Sequence, residues 1–202
     1  MTVFEVVDGI AAAMPAANID TDVIMPKVFL KGIDRSGLAA GLFHDLRFDD
    51  QGRPRPDFVL NRPDHAGARF LLVGPNFGCG SSREHAVWGL RQFGIRALIG
   101  TSFAGIFADN AANNGLLLVS LAPDRLMPLM AAAEAGPLSL EIDLTDQHIR
   151  YPGGDLHFEV DERLRHSLMS GLDRIGETLT HAERIRAFER DYLGERPWLA
   201  ER

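Results

Sequence analysis

Among 202 residues there is one cysteine, Cys79. A lone thiol excludes an internal disulfide, and it falls short of the three or four thiolates that hold an iron–sulfur cluster. The seven histidines, at 44, 65, 85, 148, 157, 166 and 181, form no HxxxH or HxH pair, so no metal site is expected on this chain. Lys and Arg total 21 against 28 acids, for a net charge of −7, and they gather in no basic cluster. That balance argues against a nucleic-acid or anionic-membrane partner. No apolar run approaches the roughly 20 residues that span a bilayer, and no basic stretch precedes an apolar one near Met1, so no secretory signal is expected. A reducing, cytoplasmic setting is the plain expectation.

What is present is a hydrophobic fraction of 46% with 20 glycines and 11 prolines, enough for a sizeable core cut by many turns. The expectation is one domain over residues 1–202, with C-terminal helices at about 161–195 as an appendage. Phe4–Val7 alternates as a strand does. Pro26 opens a short helical turn over Lys27–Leu30, and Ser36 is placed to cap a short helix ending at Leu42 or Phe43. Residues 49–56 read as a surface loop and Phe58–Leu60 as a brief extended piece. The centre is the clearest region: strand Arg69–Val73, helix Ser82–Phe93, strand Arg96–Gly100, helix Phe103–Asn113 stopped by Asn114-Gly115, strand Leu116–Val119. Such alternation predicts parallel strands joined by helical crossovers. A helix over Asp124–Ala135 follows, interrupted by Pro128. Then come antiparallel strands at Leu138–Ile142, Gln147–Tyr151 and Leu156–Val160, and amphipathic helices at Asp161–Ser170 and His181–Leu193.

Between the first central strand and its helix stands Gly78-Cys79-Gly80-Ser81-Ser82-Arg83-Glu84-His85. Ser81 and Glu84 have capping-box spacing, which by itself describes a well-stopped helix. Arg83 adds a cation beside the positive end of a helix, which is unfavourable unless an anion joins it. Free amides, two hydroxyls and a guanidinium together suit a carboxylate or phosphate. Phosphate is the poorer fit, because no lysine lies between Gly74 and Trp88 to make a P-loop. The G-x-S-x-G elbow of hydrolases fails too, since Arg83 occupies its last glycine. A small carboxylate fits best.

The run Asn76–Ala86 resembles the signature of the mobile swivel domain of the aconitase superfamily. The similarity continues through Ser102–Phe107, Asn113–Leu117, Asn18–Lys31 upstream and Gly171–Leu179 downstream. Over nearly the whole chain the pattern is similar to the bacterial 3-isopropylmalate dehydratase small-subunit family. The resemblance implies an α/β fold, a swivelling β/β/α three-layer domain with a short parallel βαβαβ core plus antiparallel strands. It implies a hydro-lyase small subunit, inactive alone, that completes the site of a large subunit. That partner carries a [4Fe–4S] cluster, and the two form a heterodimer or heterotetramer that isomerises 2- and 3-isopropylmalate in leucine biosynthesis. The resemblance also implies catalytic roles for Ser81, as general base, and Asp22, which positions Arg83 or Ser81. Ser82 and Arg83 hold a substrate carboxylate. Val28, Phe29, Leu30 and Lys31 belong to the segment that sets specificity. In aconitase that segment supplies an arginine; here none occurs between Val23 and Asp34, which favours an alkyl group over a third carboxylate.

Apart from the resemblance, Asp22 reads first as an Asx-turn or cap residue before Pro26, and Val28, Phe29, Leu30 and Ile33 read equally as packing of a short helix. The alternatives are the small subunit of a related hydro-lyase acting on 2-methylmalate or citraconate, 2,3-dimethylmalate or homoaconitate, and a stand-alone anion-binding regulatory module. RNA binding is disfavoured by the absence of aromatic–basic interleaving.

Overall fold

The computed structural model describes residues 1–31 and 36–199. Seven strands form one sheet: β1 (Val6–Met14), β2 (Phe70–Val73), β3 (Ala97–Gly100), β4 (Leu117–Ser120), β5 (Leu138–Asp143), β6 (His148–Tyr151) and β7 (Gly154–His157), in the spatial order β4-β3-β2-β1-β5-β6-β7. β1 through β4 are mutually parallel, with Ala11 opposite Phe70 and Met14 opposite Val73. On its other side β1 pairs antiparallel with β5, from Val6 opposite Asp143 to Ala11 opposite Leu138. The hairpins β5–β6–β7 complete the antiparallel half. The direction of the sheet therefore changes at β1, and the chain that leaves the end of β1 leads directly to the functional segment.

The helices are α1 (Thr21–Ile24), α2 (His44–Arg47), α3 (Glu84–Phe93), α4 (Gly105–Asn113), α5 (Pro123–Ala135), α6 (Glu162–Ser170), α7 (Arg174–Leu179) and α8 (Ala182–Glu195). Strand alternation sorts the apolar side chains between two faces. Ala11, Ala13, Phe70, Leu72, Ala97 and Ile99 pack with Leu126 and Leu129 of α5. Ala12, Met14, Leu71, Val73 and Leu98 pack with Ala86, Val87 and Leu90 of α3 and Phe107 of α4. A sheet covered on both faces explains why its parallel strands read as unbroken apolar runs.

The mixed α/β fold with a parallel core is as expected, and the differences are local. β1 runs nine residues to Met14, although Ala11-Ala12-Ala13 are poor strand formers; pairing of all three with β2, and of Ala11 also with β5, overrides their propensity. Phe58–Leu60 is not extended. Val59–Asn61 forms a 3-10 turn, tied down by Asn61 Nδ2 donating to Arg47 O and Arg55 O at 2.6 and 2.9 Å. The short turn expected after Ser36 begins beyond Gly37, whose φ of 73° only glycine adopts easily. The Ser81–Glu84 capping box does not form: α3 starts at Glu84 with Arg83 as its extended N-cap, because neighbouring chain holds Ser81 outside the helix. The helix α7 was not anticipated. Its six residues include no buried side chain, and so short a helix shows too little of an apolar stripe to be read.

Candidate active site

The turn after β2 begins at Gly74, where a side chain would collide with the carbonyls of Pro15 and Ala16. From there residues 75–81 run beside residues 18–21. Asn18 N donates to Pro75 O, Gly78 N to Ile19 O and Thr21 N to Cys79 O, at 2.8–2.9 Å. Thr21, itself buried, donates its hydroxyl to Ser81 O at 2.7 Å. On the opposite flank Asn76 N donates to Ser102 Oγ at 2.9 Å, and Ala104 N donates to Phe77 O at 3.0 Å. The Phe77 ring meets Phe107 edge to face at 5.5 Å. Gly78 and Gly80 have φ of 78° and 88°. The loop is thus a strip clamped on both sides, and its small residues let three segments approach backbone to backbone.

At the end of the strip Ser81 and Ser82 are exposed, while Arg83 turns inward to 9% exposure. Its guanidinium Nη1 donates to Asp22 Oδ1 and lies 3.4 Å from Met25 O. Asp22 sits in α1, whose N-cap Asp20 accepts from Val23 N at 2.8 Å. The Asp22 side chain keeps 44% exposure, so the pair lies at the border between core and solvent. A buried guanidinium without a counter-ion would be costly, and Asp22 supplies one. Behind it, Glu84 accepts from Asn114 Nδ2 at 2.7 Å and Asn114 accepts from Trp88 Nε1 at 2.8 Å. That chain fixes the first turn of α3 to the end of α4.

Of the expected site residues, Asp22, Ser81, Ser82 and Arg83 come together. Val28 is close in sequence, in the turn Lys27–Lys31, and is 66% exposed. Phe29 and Leu30 pack toward the core. A Cβ added to Gly41 would stand 2.6 Å from Phe29 Cγ, and the Phe29 ring is 4.9 Å from that of His44. The Lys31 side chain, Gly32 and Ile33 lie outside the described residues. Cys79 Sγ donates to Asn18 O at 3.4 Å, and the His85 ring lies 4.6 Å from that of Trp88, tilted by 53°. Sequence reasoning missed Thr21, which ties α1 to the serine loop. It also missed Asn18 and Asn76, joined side chain to side chain at 2.8 Å. Both have φ of 57°, a conformation asparagine tolerates, and that tolerance was the available signal.

The chemistry this edge offers is incomplete. Among the described residues no side chain hydrogen-bonds to Ser81 Oγ, and no group of three His, Cys, Asp or Glu is placed to hold a metal ion. A cleft of about 620 Å³ is lined by Met14–Ile19, Val23, Leu46 and Phe58 among others, and by none of Ser81, Ser82 or Arg83. The serine hydroxyls and the Asp22–Arg83 pair therefore form an open surface beside that cleft. No helix among the described residues is long and apolar enough to cross a membrane.

Comparison with known proteins agrees with this geometry. The family model of the aconitase C-terminal domain matches residues 1–124, and that for the C-terminal domain of the 3-isopropylmalate dehydratase small subunit matches residues 175–202. The chain is 51% identical to the 3-isopropylmalate dehydratase small subunit 1 of Mannheimia succiniciproducens, over 98% of this chain and 99% of that one. It is 50% identical to the 3-isopropylmalate dehydratase small subunit of Agrobacterium fabrum, over 98% and 100%. The crystal structure of 3-isopropylmalate dehydratase from Methanocaldococcus jannaschii superposes with a TM-score of 0.66 at 26% identity, covering 91% of this chain and 99% of the other. With half its residues shared over nearly its whole length, the chain belongs to the 3-isopropylmalate dehydratase small-subunit family, built on the aconitase C-terminal domain.

Proposed function

We propose that this chain is the small subunit of a 3-isopropylmalate dehydratase, a hydro-lyase, and that Asp22, Ser81, Ser82 and Arg83 are its half of an active site completed by a large subunit. The observation that carries this is Arg83, buried and paired with Asp22 directly beside two exposed serines. The reaction removes water from 2-isopropylmalate to give an alkene and returns it in the other orientation to give 3-isopropylmalate, a step of leucine biosynthesis in the cytoplasm.

Ser81 takes the proton from the carbon next to a carboxylate, and in the return direction delivers it to the neighbouring carbon. An unassisted hydroxyl is a poor base near neutral pH, so its oxyanion needs stabilisation from the amides of the loop, from Arg83 and from exclusion of water once the partner closes over it. Arg83 and Ser82 hold the carboxylate adjacent to the carbon that loses its proton. Negative charge builds on that carboxylate as the proton leaves, so the guanidinium binds the transition state more strongly than the ground state. Asp22 restrains Arg83 and neutralises it when no substrate is present. The exposure of Val28, against the inward packing of Phe29 and Leu30, supports Val28 as the contact to the isopropyl group, with Phe29 anchoring the turn and Lys31 as a further substrate contact. Covering those three carbons is worth about 2 kcal/mol at roughly 0.8 per carbon.

The [4Fe–4S] cluster of this chemistry is assigned to the large subunit, because one thiol cannot ligate it and Cys79 is engaged by Asn18 O. The test is reconstitution of the chain with the cluster-bearing large subunit, assayed against isopropylmalate, 2-methylmalate, 2,3-dimethylmalate and homoaconitate. Isopropylmalate is expected to turn over fastest. Ser81→Ala is expected to lower kcat by about a thousandfold or more while leaving assembly intact; an unchanged kcat would remove Ser81 from the role of base.

A further inference from the structure

The edge that carries Ser81 and Arg83 also carries an apolar trough that the reaction does not use. The trough lies at the carboxyl end of β1, where the sheet changes from parallel to antiparallel. It holds about 620 Å³ between the exposed segment Pro15–Asn18, Val23 after the catalytic Asp22, Leu46 of α2 and Phe58. A second recess of about 320 Å³, lined by Met127 and Met130 of α5, shares Pro15 and Glu134 with the first. Val23, Leu46 and Met127 are exposed at 37%, 40% and 68%. These side chains are large and apolar and line two recesses that share Pro15 and Glu134, a pattern that marks an interaction surface.

From this we infer that the trough is the docking site for the large subunit, and that it receives an apolar segment of that partner flanked by a basic residue. Two observations select this occupant. The trough shares a wall with the catalytic surface: Asn18–Thr21 bonds to the serine loop on one side, while Asn18, Ile19 and Val23 line the trough on the other. A partner that covers Ser81 and Arg83 therefore reaches the trough without changing direction. The rim supplies the charge. Asp57 and Glu134 stand there with Arg62, and among the described residues neither carboxylate is in an ion pair, so the rim carries a net negative charge that a basic group would complement. The inference rests on the proposed function, since it takes the large subunit as the partner.

The experiment measures binding of the purified large subunit to the wild-type chain and to Leu46→Asp, Ala17→Trp, Glu134→Lys and Ser81→Ala, with thermal unfolding of each free variant as a check on folding. Ala17 is exposed, so a tryptophan there fills the trough from outside and leaves the core untouched. The expected result is binding weakened about thirtyfold by Leu46→Asp and by Ala17→Trp, as for loss of a central interface anchor. Glu134→Lys should weaken it severalfold, most at low salt. Ser81→Ala should bind as wild type does. Binding of both trough variants within twofold of wild type would overturn the inference and leave the proposed function standing. Absence of binding by the wild-type chain would overturn the proposed function, and the inference with it. Self-association of the free chain that Leu46→Asp abolishes would assign the trough to a second copy, again against the inference.

Discussion

Residues 75–81 and residues 27–31 both lie next to the Asp22–Arg83 pair, and they are held in opposite ways. The first segment is bonded along its length to residues 18–21 and to residues 102–104, with Gly78 and Gly80 at positive φ and no room for a side chain at Gly78. The second is a single 3-10 turn held by Phe29 N donating to Pro26 O at 3.0 Å and by the Phe29 ring, and it leaves Val28 in solvent. The difference matches the two tasks proposed for these segments. Proton transfer needs an oxygen placed to within a fraction of an ångström, so the serine loop is over-determined. Choosing among side groups of a substrate needs a surface that can vary without disturbing that oxygen, and a lightly tethered turn provides one.

Substitutions that exchange or abolish these properties test the contrast. Gly78→Ala is expected to have the largest effect. Its Cβ would fall on the Phe107 ring, and its φ of 78° disfavours any side chain. A loss of about 3 kcal/mol or more in urea unfolding, with loss of activity in the reconstituted enzyme, is expected. Asp22→Ala comes next. It leaves Arg83 buried without its carboxylate, which in a fully buried pair costs about 3–5 kcal/mol. Because the Asp22 side chain is 44% exposed, about 1–2 kcal/mol is the discounted expectation. Turnover should fall further than stability explains, and a kcat equal to wild type would separate Asp22 from the chemistry. Val28→Arg should leave stability within about 0.5 kcal/mol and lower kcat/KM for isopropylmalate by about thirtyfold, the loss of three buried carbons. A substrate bearing a carboxylate at that position should gain.

The smallest effect is expected far from both segments, as a control. The Asp146 and Thr145 amides and Arg150 hold the Asp143 carboxyl below the usual carboxylate range, against the opposing effect of burial. A carboxyl lowered by folding stabilises the protein above its unfolded pKa, near 3.9, and loses that contribution as pH falls through the folded value. Asp143→Asn should therefore flatten the stability profile below about pH 4 and leave activity at neutral pH unchanged, as measured by unfolding at a series of pH values.

Legibility in the sequence followed burial, except at α8, which buries no side chain and was read from its own apolar spacing. The central strands and α3, α4 and α5 were readable because each buries an apolar face whose period survives in the residue order. The triplet Ala11-Ala12-Ala13 was not readable as strand, because alanine carries no strand signal and only pairing with β2, joined at Ala11 by β5, makes it one. Nor was α7, which buries nothing. The spacing of Ser81 and Glu84 suggested a cap that does not form, since a capping box is a local motif and Thr21, sixty residues away in the chain, claims the Ser81 carbonyl instead.

The sequence by itself determined the chemical inventory: one thiol, two serines and an arginine in a glycine-rich loop, an aspartate sixty-one residues before that arginine, and no arginine between Val23 and Asp34. Residue types and local periods are properties of the chain, so they are visible before folding. Only the tertiary structure decided that Asp22 and Arg83 are partners, that Val28 faces solvent while Phe29 turns inward, and that an apolar trough lies against the catalytic edge. Those facts depend on which distant segments the sheet and its two packed faces bring within bonding distance, and no local signal encodes a contact between segments far apart in the chain.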